Sequence, residues 1–357
     1  MNKRLKKLRT KLAEKDIDGI LITQADNRRY LSGFDGTAGY LIITAKDAIL
    51  ATDFRYTEQA KAEAPGFKIQ HITGDLSKWL PGLLGDTGIK RLGFEGGDVT
   101  YDFHRQILDA LKKKKCSVKL VPMRGLAEGI RSVKEPEEIE FIAKAAAITD
   151  NAFEYVEPKI KAGMTEIQVA WELEKAMRER GSQSLPFNVI VGSGANAALP
   201  HAKPTDKAIK EGEPIVIDMG AKYKGYASDL TRTICVGKPD AKFKKVYNTV
   251  LNAQKAAITG ITRGMTGNKA DSIAREVIKK AGYGEAFGHA LGHGVGLAEH
   301  EQPRLGPGSK EKLANGMVFT VEPGIYLSGW GGVRIEDTVV MEGGKVKAIT
   351  KARKVTC

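Results

Sequence analysis

Apolar residues are spaced along the first third of the chain as in alternating helices and short strands. A basic amphipathic helix is expected at Lys3–Glu14, because Leu5, Leu8 and Leu12 share one face. Short apolar runs then predict strands at 19–23, 39–44, 48–52, 68–72, 91–94 and 118–121, with a further helix at 101–114. Residues 1–123 are therefore predicted to form one mixed α/β domain.

The pattern changes after a predicted linker at 122–133. Helices are expected from Pro136 and from Thr165, where Thr165 and Gln168 can form a capping box. Strands are predicted at 188–192, 214–219 and 228–236, helices at 241–259 and 268–281, and strands at 317–322 and 333–341. Two helices followed by strands, twice over, indicate an internal repeat. Residues 124–357 are thus predicted to be one domain of two similar halves, with helices on one face of a curved antiparallel sheet.

Composition narrows the class of protein. A hydrophobic content of 42% and a charged content of 28% are typical of a soluble globular chain. No apolar run has the length of a signal peptide core or a membrane span, so we expect a cytoplasmic protein that does not contact a membrane. Three cysteines, Cys116, Cys235 and Cys357, show no paired spacing and are expected to be reduced.

The net charge of +13 raises the question of nucleic-acid binding. The candidate patches are the first helix and the lysine run Lys112 to Lys115. No aromatic residues interleave with these lysines, and a lysine run at a helix C-terminus is usually a solvated face favoured by the helix dipole. We therefore predict that nucleic acid is not a partner.

Three of the six histidines, His289, His293 and His300, lie in a glycine-rich stretch at 288–303. Such a cluster indicates metal or proton chemistry, although a histidine-rich surface loop is the alternative. The spacing of His289 and His293 is that of a zinc-protease helix. However, Ala290 stands where the catalytic Glu would be, and four glycines disfavour a helix.

Four carboxylates emerge from apolar strands elsewhere in the predicted C-terminal domain. Asp218 ends one strand and Asp229 begins the next, so a hairpin between them would bring the two together. Glu322 ends a further apolar run before Pro323. Glu336 is expected on the same strand face as Arg334, by alternation. Each carboxylate alone could be a cap or a salt-bridge partner, but four of them around a glycine-rich histidine stretch favour a common site.

Four converging carboxylates would repel one another unless cations compensate them. Two divalent ions would balance the charge and leave a neutral imidazole as a fifth ligand. Oxygen ligands with one imidazole suit Mn²⁺, Co²⁺, Fe²⁺ or Zn²⁺ and do not suit a structural zinc site. Such a metal pair is suited to hydrolysis.

The candidate ligands follow one another in the order Asp218, Asp229, His293, Glu322 and Glu336. The segments around them include Ile-Asp-Met-Gly, Gly-His-Gly-Val-Gly, Val-Glu-Pro-Gly and Val-Arg-Ile-Glu-Asp. This ordered series resembles the pita-bread metallopeptidases, family M24. Three further features resemble the proline-specific branch of this family, which comprises Xaa-Pro aminopeptidases and Xaa-Pro dipeptidases. They are Leu-Pro-His at 199–201, His289 and His300. Two stretches of the first third resemble the creatinase-like N-terminal domain of that branch. They are Arg-Arg-Tyr-Leu-Ser-Gly-Phe-Asp-Gly-Thr-Ala-Gly-Tyr and Thr-Asp-Phe-Arg-Tyr. The resemblance implies an α+β chain with a creatinase-like α/β domain followed by a pita-bread catalytic domain.

The resemblance also implies a role for each residue. Asp218 would hold one metal, and His293 and Glu322 the other, while Asp229 and Glu336 bridge the two. Glu322 would be the general base for a metal-bridging water. The substrate pocket would contain three histidines, with His300 near the scissile carbonyl and His201 and His289 near the substrate backbone and proline ring. Arg334 would orient a metal carboxylate.

The expected cofactors are two divalent ions, with Mn²⁺ first and Co²⁺, Zn²⁺ or Fe²⁺ as alternatives. The expected activity is metal-dependent hydrolysis of the N-terminal Xaa-Pro bond of a proline-containing peptide, by a homodimer. The aminopeptidase is preferred because of the N-terminal stretches, and a dipeptidase that acts on dipeptides only is the alternative. A pita-bread binding module without catalysis is disfavoured because all five ligand positions are filled. A dinucleotide fold at Gly192 and Gly194 is disfavoured because Pro200 and Pro204 leave no room for the required helix.

Overall fold

The computed structural model of the chain describes residues 3–354. They form two compact units, the first ending at Arg131 and the second starting at Ser132, whereas the sequence placed the domain boundary between residues 123 and 124. The predicted linker at 122–133 is wrong, because it contains a helix, Leu126–Arg131. Gly125 and Gly129 give this segment the look of a loop, but its apolar side chains are buried and hold it in the first unit.

The first unit is built on a mixed sheet of six strands. The strand order is β4-β3-β2-β1-β5-β6, and only β2 runs antiparallel to its neighbours in the sheet. The strands are β1 (Gly19–Ile22), β2 (Tyr40–Thr44), β3 (Ala48–Thr52), β4 (Lys68–His71), β5 (Arg91–Glu95) and β6 (Lys119–Met123). All six were predicted, to within two residues at each end.

The first unit also contains helices, and four of them were missed by the sequence analysis. The helices are α1 (Lys3–Glu14), α2 (Ala25–Ser32), α3 (Thr57–Glu63), α4 (Leu76–Thr87), α5 (Tyr101–Lys113) and α6 (Leu126–Arg131). The missed helices are α2, α3, α4 and α6, the last of which lies within the predicted linker. Helix α4 contains Pro81 and two glycines, which disfavour a helix, yet its buried leucines pack into the core beneath it. Tertiary packing therefore outweighs local propensity there.

The second unit contains two helix pairs, as predicted. The pairs are α7 (Pro136–Val156) with α8 (Glu166–Glu179), and α9 (Ala241–Gly260) with α10 (Gly267–Lys280). Thr165 and Gln168 form the predicted capping box at the start of α8. Pro136 stands at the first position of α7, where the missing N–H costs nothing.

Each helix pair packs against its own strands. In the first half, α7 and α8 share a core with β7, β8 and β11. In the second half, α9 and α10 share a core with β13, β14, β15, β16 and β17. The strands of this unit are β7 (Ile190–Ser193), β8 (Pro214–Met219), β9 (Lys222–Tyr223), β10 (Tyr226–Ala227), β11 (Leu230–Cys235), β12 (Gly292–Gly294), β13 (Glu301–Leu305), β14 (Val318–Val321), β15 (Gly324–Leu327), β16 (Gly331–Arg334), β17 (Asp337–Glu342) and β18 (Lys345–Ala348). The predicted internal repeat is present.

Strand pairing in this unit is antiparallel throughout the described ladders. The strand orders are β11-β8-β7 in one sheet and β13-β12-β14-β17-β18 in another, with β9 and β10, and β15 and β16, forming two-stranded pairs. The single strand predicted at 333–341 is two strands. β16 pairs with β15 and β17 pairs with β14, and the change of partner takes place at Ile335 and Glu336.

Two further expectations concern cysteines and membranes. Cys116 and Cys235 are thiols, as predicted, and Cys357 lies outside the described residues. Among the helices of residues 3–354, none combines the length and the apolar character that crossing a membrane requires.

Candidate metal centre

Strand ends bring the predicted carboxylates together in the second unit. Asp218 lies in β8 opposite Thr231 of β11, and Asp229 immediately precedes β11, so the predicted hairpin arrangement is present. Glu322 follows β14, and Glu336 lies between β16 and β17. Each carboxylate thus stands where an apolar strand ends or is interrupted, which lets a charged group point out of an otherwise apolar sheet.

His293 lies at the middle of this group. Its Nε2 is 3.3 Å from Glu322 Oε1 and 3.6 Å from Asp229 Oδ2. One possible ligand atom each from Asp229, His293 and Glu336 lie within 4.8 Å of one another. The other ring nitrogen, Nδ1, is 3.1 Å from the Gly294 carbonyl oxygen, which can only accept, so Nδ1 carries the hydrogen. Once Nε2 loses its proton, as metal binding requires, its lone pair would face the carboxylates, as that of a metal-binding imidazole does.

The glycines around His293 are required by close backbone approaches. A Cβ at Gly292 would lie 2.0 Å from the Thr320 carbonyl oxygen, and one at Gly294 would lie 2.2 Å from that of Gln302. The strand β12 is therefore pressed between β13 and β14. Thr320 also fixes the site directly, because its Oγ1 accepts from the His293 N–H at 3.0 Å and donates to Glu322 Oε1 at 2.9 Å.

The crowded carboxylates of the cluster shift the pKa values of its members. Burial and the nearby carboxylates raise the pKa of Asp229 and of Glu336 well above their usual values, and burial raises the pKa of Asp218. Burial would also raise the pKa of Glu322, but the hydrogen bond and charge of His293 outweigh it and lower that pKa to about 2. Conversely, burial opposes the charged form of His293, yet Glu322 raises its pKa to about 9.

Arg334 is the buried cation of the site, and its contacts extend the prediction made for it. Its Nη2 donates to Asp218 Oδ2 at 2.7 Å, so the carboxylate that it orients is Asp218. Its Nε donates to Thr231 Oγ1 at 3.0 Å, and this hydroxyl in turn donates to Glu336 Oε2 at 2.6 Å. Arg334 and Glu336 are thus linked through Thr231, although Glu336 lies beyond the end of β16 and the two do not share one strand face as predicted.

The residues present fit a divalent-metal centre. Asp218 Oδ1 is buried and has no hydrogen-bond partner among the described residues, which is costly unless a cation faces it. If all four carboxylates were ionised around a neutral His293, the buried arginine beside them would leave an excess of negative charge. Hard oxygen donors with one imidazole are the ligand type of Mn²⁺, Co²⁺, Fe²⁺ and catalytic Zn²⁺.

The three other histidines differ in their surroundings. His289 is held by its neighbours: Nδ1 is 2.8 Å from the Ala290 carbonyl oxygen, and Nε2 is 3.0 Å from the Tyr326 hydroxyl. Burial lowers its pKa, so this ring is neutral. The His300 ring centroid lies 4.1 Å from that of His293, and its side chain is 62% exposed. His201 is exposed, in the segment that follows β7, and no hydrogen bond joins it to the cluster in the described residues.

The sequence analysis missed Tyr326, which links two predicted residues. Its hydroxyl accepts from Arg334 Nη1 at 2.9 Å and contacts His289. Thr231 was also missed, although it lies two positions after Asp229 and alternation could have placed both on one face. No sequence signal identifies Tyr326, because its position depends on the register of β15 with β16, which the turn between them sets.

Comparisons with known proteins identify the family of the chain. Residues 140–342 match Metallopeptidase family M24, and residues 4–133 match the Creatinase/Prolidase N-terminal domain. The Xaa-Pro dipeptidase of Pyrococcus horikoshii is 39% identical over 99% of this chain and 98% of its own length.

Solved structures also match over nearly the whole chain. The Xaa-Pro dipeptidase from Bacillus anthracis is 43% identical with a TM-score of 0.95, over 99% of this chain and 98% of that one. The X-Pro aminopeptidase from Thermotoga maritima MSB8 is 38% identical with a TM-score of 0.90, over 98% of both chains. This chain belongs to metallopeptidase family M24. The predicted family and fold class, a creatinase-like domain followed by a pita-bread catalytic domain, are confirmed.

Proposed function

We propose that this metallopeptidase hydrolyses the Xaa-Pro bond at the N-terminus of a proline-containing peptide, using two divalent ions held by Asp218, Asp229, His293, Glu322 and Glu336. The observation that carries the proposal is the excess of buried carboxylate around the Nε2 atom of His293. When bound, the ions would supply the positive charge that activates a water and polarises the scissile carbonyl. The names of related proteins support the preference for proline.

The side chains of the site divide the work of hydrolysis. Glu322 places a carboxylate oxygen 3.3 Å from His293 Nε2, at the candidate metal centre, so it can accept the proton of the attacking water. His300, beside His293 and open to solvent, can donate a hydrogen bond to the oxygen of the carbonyl under attack. His289 and His201 would contact the substrate backbone and the proline ring. Arg334 holds the Asp218 carboxylate in place through a 2.7 Å contact.

Two substrate ranges compete for this site. We place the aminopeptidase first, because the stretches around Asp35 and Arg55 in the first unit resemble that subgroup. The dipeptidase is the second candidate, because two of the similar proteins described above, from Pyrococcus horikoshii and Bacillus anthracis, carry that name. Mn²⁺ as the working metal, a homodimer as the working assembly and the cytoplasm as the location belong to the same proposal.

The deciding experiment compares Gly-Pro with a longer Xaa-Pro-Xaa peptide as substrates. Protein stripped with EDTA is reloaded with Mn²⁺, Co²⁺ or Zn²⁺, and release of the first residue is measured. We expect activity only after reloading, with Mn²⁺ most effective. Cleavage of both peptides identifies the aminopeptidase, and cleavage of Gly-Pro alone identifies the dipeptidase.

Matched peptides with alanine in place of proline are the control for specificity. Equal rates on the alanine and proline peptides would contradict the preference for proline. No metal-dependent cleavage of either proline peptide would overturn the proposed function.

A further inference from the structure

A buried carboxylate outside the metal centre collects the donors of one loop. Glu166 is the first residue of α8 and is fully buried. Its Oε1 accepts from the Ser193 N–H and hydroxyl, both at 2.8 Å. Its Oε2 accepts from the Thr205 N–H at 3.0 Å and hydroxyl at 2.7 Å. Asn196 Nδ2 donates to both oxygens at 3.1 Å, so one side chain holds both ends and the middle of the 193–205 loop.

This loop lies against the residues that form the candidate site. The Pro200 carbonyl oxygen accepts from Arg334 Nη1 at 3.1 Å, and Arg334 contacts Asp218. A Cβ at Gly332 would lie 2.1 Å from the Ala197 carbonyl oxygen, so the loop packs directly on the strand that carries Arg334. His201 follows Pro200 in the chain. The position of the loop therefore determines where His201 and the Pro200 carbonyl lie relative to the carboxylates.

Only an ionised carboxylate satisfies the donors at this point. All the groups that face Glu166 are N–H or O–H donors, and a carboxylate can accept from all of them. Burial opposes the charge, but the hydrogen bonds from Thr205, Ser193 and Asn196 lower the pKa of Glu166. Its place in the first turn of α8 also favours a negative charge. A glutamine of the same shape would turn an NH₂ group toward other donors.

We propose that Glu166 is a positioning residue for substrate binding: it holds the 193–205 loop so that His201 and the Pro200 carbonyl are presented to the peptide. The inference rests on the proposed function, since it assigns this loop to the substrate side of the centre. Glu166 contacts neither the metal carboxylates nor His293 in the described hydrogen bonds. It therefore acts on KM, through the loop, and leaves metal binding unchanged.

The test compares Glu166→Gln with Glu172→Gln, a control on the exposed side of the same helix. Both variants are loaded with Mn²⁺ and assayed on Gly-Pro and on a longer Xaa-Pro-Xaa peptide. For Glu166→Gln we expect KM to rise about tenfold, with kcat within about twofold and bound metal unchanged. Amide hydrogen exchange in 194–205 should be about tenfold faster. The control variant should match the wild type in all four measurements.

The exchange measurement does not depend on activity. Unchanged exchange in 194–205 would show that Glu166 does not hold the loop. Faster exchange with an unchanged KM would show that the loop does not position the substrate. Either result overturns the inference. A variant with normal KM and a lower unfolding temperature would assign Glu166 a purely structural role and overturn it too.

A smaller substitution covers the case in which Glu166→Gln does not fold. Thr205→Val removes one hydroxyl donor to Glu166 Oε2 and keeps the backbone contact. It should raise KM in the same direction by about threefold, with faster exchange in the loop. If the wild type cleaves no Xaa-Pro peptide, the proposed function fails, and the exchange comparison alone decides whether Glu166 holds the loop.

Discussion

Two adjacent acidic residues, Glu336 and Asp337, are both buried but have opposite electrostatic surroundings. Asp337 contacts Arg232 Nη2 at 2.8 Å and Lys354 Nζ at 2.6 Å. Burial would raise its pKa, but these cations outweigh burial and lower it. Glu336 has a hydroxyl donor, Thr231, and its pKa is raised well above the usual value by burial and by Glu322.

The difference lies in the source of the positive charge that each buried carboxylate requires. At Asp337 the protein provides the counter-ions from its own strands and its C-terminal segment. At the neighbouring Glu336, Arg232 Nη1 contacts the backbone carbonyl and leaves the carboxylate without it. A folded protein tolerates a buried carboxylate cluster only when charge compensation is available. The lack of compensation at Glu336 is therefore consistent with a functional metal site, and its presence at Asp337 with a structural one.

The largest expected effect comes from a substitution at the candidate metal centre. Asp229→Asn should lower kcat/KM by about three orders of magnitude, since metal-derived charge stabilisation is worth several kcal/mol. Elemental analysis should show loss of most bound metal. Asp86→Asn, at an exposed position of the first unit, is the matched control. Retention of two metal ions and the full rate would show that the centre lies elsewhere.

The next largest effect is expected at Asp337, the carboxylate that has its counter-ions within the protein. Asp337→Asn should lower the free energy of unfolding by about 3 kcal/mol, because it leaves the buried Arg232 without its carboxylate. Urea unfolding with and without Mn²⁺ measures this loss, which should be the same in both conditions. In the metal-free protein, Asp229→Asn should instead raise the free energy of unfolding by relieving repulsion. Destabilisation by both variants would remove the proposed distinction between the two carboxylates.

The smallest effect is a pH dependence of the metal-free protein. The pKa values of Asp229 and Glu336 are raised from usual values of 3.8 and 4.5, so the folded centre retains protons that the unfolded chain has released. The stability they contribute is present below about pH 4 and is lost as pH rises, by at most about 1.4 kcal/mol per pH unit for each proton.

The range from pH 4.5 to 6.5 is suited to measuring this effect by comparison of two proteins. There Glu322, with a pKa of about 2, stays ionised in the folded chain, and His293, with a pKa of about 9, stays protonated in it. In the unfolded chain these two groups titrate near their usual values of 4.5 and 6.5, and both the wild type and Asp229→Asn contain this contribution. Urea unfolding of the metal-free wild type across this range should show a steeper loss with rising pH than Asp229→Asn. Equal slopes for the two proteins would mean that Asp229 holds no proton in the folded state.

The sequence predicted which carboxylates cluster better than it predicted the contacts that support them, for a physical reason. Asp218, Asp229, Glu322 and Glu336 could be identified because a charged residue at the end of an apolar strand is conspicuous. The partner of Arg334 could not be identified in the same way, because its contact with Asp218 crosses from β16 to β8. Contacts between sheets depend on packing, which strand alternation does not specify.

The fold shows the same limit at the level of whole elements. Helix α4 was missed because Pro81 and its glycines indicate a loop, while its stability comes from leucines buried in the core. The break between β16 and β17 was missed because the alternation of 333–336 and the apolar run 339–341 were taken as one strand, although three consecutive polar residues, Glu336, Asp337 and Thr338, interrupt the pattern between them. That break is set by two partners: Ile335 N donates to the Pro323 carbonyl, and Glu336 N donates to that of Thr231.

Because the chain changes strand partners between β16 and β17, the number of residues in this segment matters more than the size of their side chains. β16 is fixed by pairing with β15 and β17 by pairing with β14, so Ile335 and Glu336 alone span the change of partner. Deleting one residue here would draw Asp337 toward the metal carboxylates and away from Arg232 and Lys354. A single-residue deletion would thus disturb two sites at once, whereas an exchange of Ile335 for another aliphatic residue would preserve both.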